Sequence, residues 1–155
     1  MSNAKSYNAG KQNERDSWST MCQHGFVRPT PQQRKNLVEA YAQVGKEIRA
    51  KGFDLIRESD SKTINNPVEN ITLFELKTAG RKRKSPVKEN WSGLGFTLTG
   101  AEKHNAETLK DKFKFIFLNL KNGALHECKL DDFFSSGAAN TYPTWSVFIT
   151  KGLTS

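Results

Sequence analysis

The sequence predicts an α/β domain, and three patterns along the chain support this prediction. An amphipathic helix begins near Pro31, strand-like apolar runs follow at 53–57 and 71–78, and a strand hairpin lies between 113 and 130. Because helical and alternating apolar periods follow each other along the chain, we expect a sheet packed against helices. A chain of 155 residues has room for one such domain of ordinary size.

The first helix has clear signals at its predicted start. Thr30 is the expected N-cap residue, and Pro31 takes the first helical position, where its missing N–H has no intrahelical partner to lose. Apolar residues then recur every three or four positions, at Leu37, Val38, Tyr41, Val44 and Ile48. This spacing predicts one apolar stripe that packs on the sheet, with Gly52 ending the helix.

The segment 71–78 predicts a strand with two charged residues on one face. Its sequence is Ile-Thr-Leu-Phe-Glu-Leu-Lys-Thr, so Glu75 and Lys77 project from one side, and Phe74 and Leu76 from the other. A carboxylate beside an ammonium can hold a hard divalent metal ion and position a water molecule next to it. The alternative is a surface charge pair of the kind common in sheets.

A metal site of this kind needs a second acid. We expect 53–57 and 71–78 to pair as antiparallel strands, because the Asn65-Asn66-Pro67 turn signal lies in the loop between them. Such pairing would bring Asp60, after the first strand, close to Glu75. Three other nearby acids stay open as alternatives to Asp60, namely Asp54, Glu58 and Glu69.

At these residues the chain resembles the PD-(D/E)XK nuclease superfamily, whose sites carry an acid, a spacer, and then Glu/Asp-X-Lys on a strand. The order of later elements is similar to that of small type II restriction endonucleases of the PvuII kind. Those elements are a helix near His104, the aromatic strand 113–120, the turn Lys121-Asn122-Gly123 and the returning strand 125–130.

The resemblance implies a restriction-endonuclease-like core, in which helices flank a central mixed sheet. It implies a Mg²⁺-dependent, sequence-specific endonuclease that hydrolyses phosphodiester bonds in double-stranded DNA. Asp60, Glu75 and the carbonyl of Leu76 would hold Mg²⁺, and Lys77 would orient or deprotonate the attacking water. Glu47, on the first helix, would be a possible extra acid. A homing endonuclease, a junction resolvase or a repair nuclease of the same superfamily is the alternative.

Charge and loop composition indicate a nucleic-acid partner. The net charge is +8 and the isoelectric point is near 9.6, which favours a polyanion. Five cations lie in a Gly- and Pro-containing segment and are predicted DNA contacts: Arg81, Lys82, Arg83, Lys84 and Lys88. His104 and Asn105 are predicted to reach base edges. A solvated basic loop, or a DNA-binding module without catalysis, is the alternative interpretation.

The remaining expectations concern organisation and compartment. We expect residues 1–28 to form a flexible N-terminal arm and residues 29–155 a single nuclease domain. A homodimer is expected by analogy, because two-fold symmetry matches a palindromic site. Cys22 and Cys128 have no metal-site spacing, and no apolar run approaches eighteen residues. A soluble cytoplasmic protein with free thiols and no membrane span is therefore expected.

Overall fold

A computed structural model describes residues 17–58, 67–79, 91 and 95–134 of the protein. In these residues the chain forms a four-stranded mixed sheet whose strands lie in the order of the sequence, β1-β2-β3-β4. The strands are β1 Leu55–Glu58, β2 Ile71–Ala79, β3 Phe113–Asn119 and β4 Leu125–Cys128. The helices are α1 over 17–23, α2 Pro31–Gln43, α3 Gly100–Leu109 and α4 Leu130–Phe134, with short 3₁₀ helices at Pro67–Asn70 and Lys110–Lys112. The predicted α/β class is therefore confirmed.

The strand pairing agrees with the alternation in the sequence. β1 pairs antiparallel with β2, as predicted, and β3 and β4 form the predicted hairpin. β2 and β3 are parallel, with Glu75 beside Phe115 and Lys77 beside Phe117. Parallel neighbours need a long crossover connection, and α3 lies within it.

Apolar residues cover both faces of the sheet. On one face Leu73 and Phe115 pack with Tyr41 of α2 and Leu109 of α3. On the other face a second cluster joins the region of α1 to the sheet through Met21, Phe26, Leu55, Phe74, Ile116 and Leu118. Because Glu75 alternates with Phe74, it lies on the face that α2 and α3 cover.

The predicted end of the first helix is wrong. α2 ends at Gln43, because Gly45 adopts a left-handed φ of +78° and the backbone leaves the helix there. Gly52 has a different role, since a Cβ at this position would lie 2.4 Å from Nδ2 of Asn105 and 2.6 Å from the carbonyl oxygen of Ala101. The glycine allows the segment before β1 to approach α3 closely.

The predicted boundary at residue 28 also needs correction. Met21 and Phe26 are 0% and 3% exposed, and Val27 forms a β-bridge with Ile56 through two 2.9 Å hydrogen bonds. Residues 17–28 therefore belong to the folded domain. Residues 1–16 of the predicted arm, and residues 135–155, lie outside the described part of the chain.

Two further expectations concern membranes and thiols. Within the described residues, no helix has the length and apolar character needed to cross a bilayer. Cys22 and Cys128 are free thiols, as predicted; Cys22 is exposed and Cys128 is buried.

Candidate active site

Two acids lie close together, Glu75 on β2 and Asp54 directly before β1. Asp54 directly precedes Leu55, the first residue of β1 that pairs with β2, and its charge acts on the Glu75 carboxyl. The Asp54 N–H donates to the carbonyl of Phe74 at 2.8 Å, and its Oδ2 accepts the N–H of Leu76 at 3.0 Å. These two bonds hold the Asp54 carboxylate against the strand that carries Glu75.

Lys77 lies beside Glu75 and contacts a further acid on α3. Its Nζ is 3.3 Å from Oε1 of Glu75, and 3.1 and 3.2 Å from the two carboxylate oxygens of Glu102. The same ammonium donates to the carbonyl of Thr97 at 2.9 Å. Glu75 and Glu102 are only 7% and 5% exposed, so this is a buried ionic cluster and not a surface charge pair.

Local structure at the start of α3 places Glu102. The Oγ1 of Thr99 accepts the Glu102 N–H at 3.2 Å, and Oε2 of Glu102 accepts the Thr99 N–H at 2.9 Å, which together form a capping box. α2 begins with the same arrangement, but there Gln33 takes the position of the glutamate. At this position of the cap an uncharged acceptor side chain is therefore sufficient in this fold. The negative charge of Glu102 is used instead in its contact with Lys77.

The cluster contains more acids than cations, and this affects protonation. Burial raises the pKa of Glu75 to about 9, and its hydrogen bond with Glu102 and the charge of Asp54 act in the same direction. Burial also raises the pKa of Glu102, but hydrogen bonds with Glu75, Thr99 and Lys77 outweigh it and leave that pKa below its ordinary value. The protonated form is therefore favoured at Glu75 and the ionised form at Glu102.

The structure describes two of the three predicted catalytic side chains. Glu75 and Lys77 lie on one face of β2, as the alternation predicted. Asp60 lies outside the described residues. Of the alternatives to Asp60, Asp54 bonds to β2 through its side chain, at the N–H of Leu76.

The predicted DNA contacts have different outcomes. The five cations of the basic segment, Arg81, Lys82, Arg83, Lys84 and Lys88, lie outside the described residues. Asn105 is 0% exposed; its Oδ1 accepts the Arg49 N–H at 2.7 Å and its Nδ2 donates to the Arg49 carbonyl at 2.9 Å. Asn105 therefore cannot reach a base edge in this fold, and that prediction is wrong. His104 places Nε2 at 2.8 Å from the carbonyl oxygen of Glu47.

The predicted extra acid lies in an unexpected place. Glu47 follows the end of α2 and is not on the helix, and its side chain is 77% exposed, with Oε1 3.7 Å from Nη2 of Arg49. The acid that a helix does bring to Lys77 is Glu102, which the sequence interpretation missed. The Thr99-X-X-Glu102 pattern marks a capping box and could have located the start of α3, but it carries no signal for the contact with Lys77.

Whether a metal ion could bind these residues depends on the number and kind of donor atoms that they offer. In the part of the chain that the structure describes, no group of three or more His, Cys, Asp or Glu side chains could hold a metal ion. Mg²⁺ keeps several waters and commonly takes only one or two carboxylates from the protein. Asp54 and Glu75 supply two carboxylates, the number that Mg²⁺ commonly takes from a protein, and a Mg²⁺ site with the carbonyl of Leu76 stays a prediction.

No protein-family model matches the chain, and neither a curated protein nor a solved structure matches it. The resemblance to the PD-(D/E)XK nucleases therefore stays a prediction, which rests on the chain's own residues.

Proposed function

We propose that this protein is a Mg²⁺-dependent endonuclease that hydrolyses phosphodiester bonds in double-stranded DNA, with a restriction-endonuclease-like core. One observation carries the proposal: the Asp54 carboxylate accepts the N–H of Leu76, the residue between Glu75 and Lys77, and Lys77 lies on the Glu75 side of β2. The acid precedes the Glu-X-Lys motif by 21 residues (75 − 54), a spacing comparable with that of the PD-(D/E)XK pattern. Asp54 takes the role that the sequence first suggested for Asp60.

Each residue has a distinct role in this mechanism. Asp54 and Glu75 would hold Mg²⁺, which when bound supplies the positive charge that acidifies a water molecule and neutralises the scissile phosphate. Lys77 would orient that water and stabilise the charge that develops on the phosphate. Glu75 must release its proton before it can act as a ligand, because the protonated carboxyl is a poor donor to a cation.

Glu102 acts as a positioning residue for Lys77. Both of its carboxylate oxygens lie within 3.2 Å of Nζ of Lys77, and its own backbone is fixed in the capping box. A long lysine side chain loses much rotamer freedom when it is held in this way. The contact therefore keeps the ammonium next to Glu75 before substrate binds.

The test is incubation of the purified protein with supercoiled and linear DNA, in Mg²⁺ or in EDTA, followed by sequencing of the DNA ends. Wild-type protein should give discrete Mg²⁺-dependent fragments. Asp54→Asn, Glu75→Gln and Lys77→Met should each reduce cleavage at least about 100-fold, by loss of the metal site or of charge stabilisation. Glu58→Gln removes an exposed acid from β1 and serves as the matched control.

The same assay decides between the two candidates for the first acid. If Asp54 is the metal ligand, Asp60→Asn should cleave DNA at a rate close to that of the wild type. Full activity in Asp54→Asn together with loss of activity in Asp60→Asn would reverse the assignment. Full activity in Glu75→Gln and Lys77→Met would remove the proposed site altogether.

The second candidate is a DNA-binding module without catalysis. Two observations favour it: the ammonium of Lys77 is already engaged by Glu75, Glu102 and Thr97, and no three-residue metal group occurs among the described residues. In that case DNA would shift in mobility and stay intact with and without Mg²⁺. Cruciform, nicked and palindromic substrates in the cleavage assay would separate a junction resolvase, a repair nuclease and a restriction enzyme.

The proposed homodimer is tested separately from cleavage. A small nuclease with one site per chain cuts both strands most simply when two copies act on a two-fold symmetric sequence. Light scattering on the protein with and without duplex DNA measures its mass directly. A single copy per duplex, together with double-strand cuts, would rule out the dimer.

A further inference from the structure

A groove lies between α2 and the segment that leads into β1. This groove is open to solvent and has a volume of about 550 Å³, and Pro31, Val38 and Phe53 contribute apolar surface to its lining. Asp54, which belongs to the candidate active site, forms part of the same lining. The groove therefore extends to a residue of the candidate active site.

Three cations line this groove. Arg34 is fixed in place, because it donates to the carbonyls of Ala50 at 3.0 Å, Asp54 at 3.2 Å and Phe53, and its guanidinium lies 4.7 Å from the centre of the Phe53 ring. The positive charge of Arg34 is thus held at the wall of the groove and does not move freely in solvent.

The other two cations are free to bind a ligand. Lys35 and Lys51 line the groove and are exposed, and neither has an ion-pair partner within the described residues. Three cations against the single carboxylate of Asp54 make the groove electropositive. This surface is complementary to a polyanion, and the +8 charge of the whole chain acts in the same direction.

We propose that this groove binds the phosphodiester backbone of the DNA strand that enters the active site. The choice of DNA as the occupant rests on the proposed function. Phosphates would lie against Lys35 and Lys51, and deoxyribose would contact the apolar lining, since sugars present apolar C–H surface. Because Asp54 is shared by the groove and the site, a strand bound here lies beside the candidate active site.

The experiment measures the salt dependence of DNA binding in EDTA. Fluorescence anisotropy of a labelled duplex gives the binding constant of the wild type and of the double variant Lys35→Gln, Lys51→Gln. The matched control is Lys110→Gln, Lys121→Gln, which removes the same charge from exposed lysines at the end of α3 and in the β3–β4 turn. Thermal unfolding of each variant checks that the fold is retained.

The groove predicts a specific change in slope. Each lost phosphate contact lowers the slope of log K against log salt by about 0.9. The groove variant should therefore lose roughly one to two units of slope, and the control variant should keep the wild-type slope. Equal losses in both variants, or no loss in either, would overturn the proposal.

Two further comparisons separate the possible causes of failure. Binding in EDTA does not require catalysis, so an unchanged slope in a protein that cleaves DNA overturns the groove and leaves the nuclease intact. A reduced slope in a protein that never cleaves supports the groove and overturns the nuclease. Poly-glutamate serves as a competitor of a different class. If the groove variant loses affinity for poly-glutamate as strongly as for DNA, the groove is a general anion surface and the proposal fails.

Discussion

Replacement of Glu75 by glutamine should stabilise the metal-free protein at neutral pH. In the fold the pKa of Glu75 is raised from 4.5 to about 9, first by burial, then by the hydrogen bond with Glu102 and the charge of Asp54. Between these two pH values the unfolded chain ionises at Glu75, while the folded chain keeps the proton. Folding therefore takes up a proton, and the free energy of unfolding falls as the pH rises.

The size of this effect follows from linkage. One proton of difference changes the free energy of unfolding by about 1.4 kcal/mol per pH unit. From about pH 5.5 to about pH 7.5 the wild type should therefore lose roughly 3 kcal/mol relative to the glutamine variant. The neighbouring Glu102 does not cancel this loss. Its pKa is lowered from 4.5, so Glu102 titrates at a lower pH than the range from 4.5 to about 9 in which Glu75 has this effect.

The assay is urea unfolding of wild type and Glu75→Gln in EDTA at several pH values. Glutamine can still donate a hydrogen bond to Glu102, so the stability difference between the two proteins reports chiefly on the Glu75 carboxyl. Glu58→Gln, an exposed acid on β1, provides the control, and its difference from the wild type should stay flat with pH. A flat difference for Glu75→Gln, or a wild type that gains stability with pH relative to it, would refute the reasoning.

Three further predictions concern the residues around the site. Glu102→Gln keeps the helix cap but removes the charge that holds Lys77, so cleavage should fall about tenfold (~1.4 kcal/mol); unaltered cleavage in a variant that urea unfolding shows to be folded would remove its positioning role. Asn105→Ala leaves buried backbone groups without partners and should lower stability by about 2–4 kcal/mol in urea unfolding, and a smaller loss would indicate that water replaces the amide. Gly52→Ala should unfold at lower urea than Gly95→Ala, because a Cβ at residue 52 meets α3 and one at residue 95 meets nothing within 4 Å.

Local patterns predicted much of the sheet. The alternation in 71–78 correctly assigned Glu75 and Lys77 to one face of β2, because side-chain direction in a strand depends only on the backbone repeat. The hairpin of β3 and β4 was predictable in the same way, since Gly123 permits the left-handed φ of +72° that its turn uses. The start of α2 was predictable from Thr30 and Pro31, because capping is an interaction between near neighbours.

Other predictions failed where distant segments compete for the same residues. The apolar stripe continued to Ile48, which is buried, yet the helix ends at Gln43 and Ile48 reaches the core from a non-helical segment. Asn105 was predicted to contact DNA, but its side chain is hydrogen-bonded to the backbone of Arg49, which lies 56 positions away in the sequence. Burial of a polar residue depends on which segment packs over it, and that information is not local.

The sequence by itself determined the class of the fold, the face that carries Glu75 and Lys77, and the positive charge that favours a polyanionic partner. Only the tertiary structure decided that Asp54 bonds to β2 beside Glu75 and that Glu102 holds Lys77. Several acids lie within a few residues of β1, and the register of one strand against the next determines which of them meets Glu75. Strand register and helix docking depend on the packing of the whole core, so no short segment of the sequence determines them.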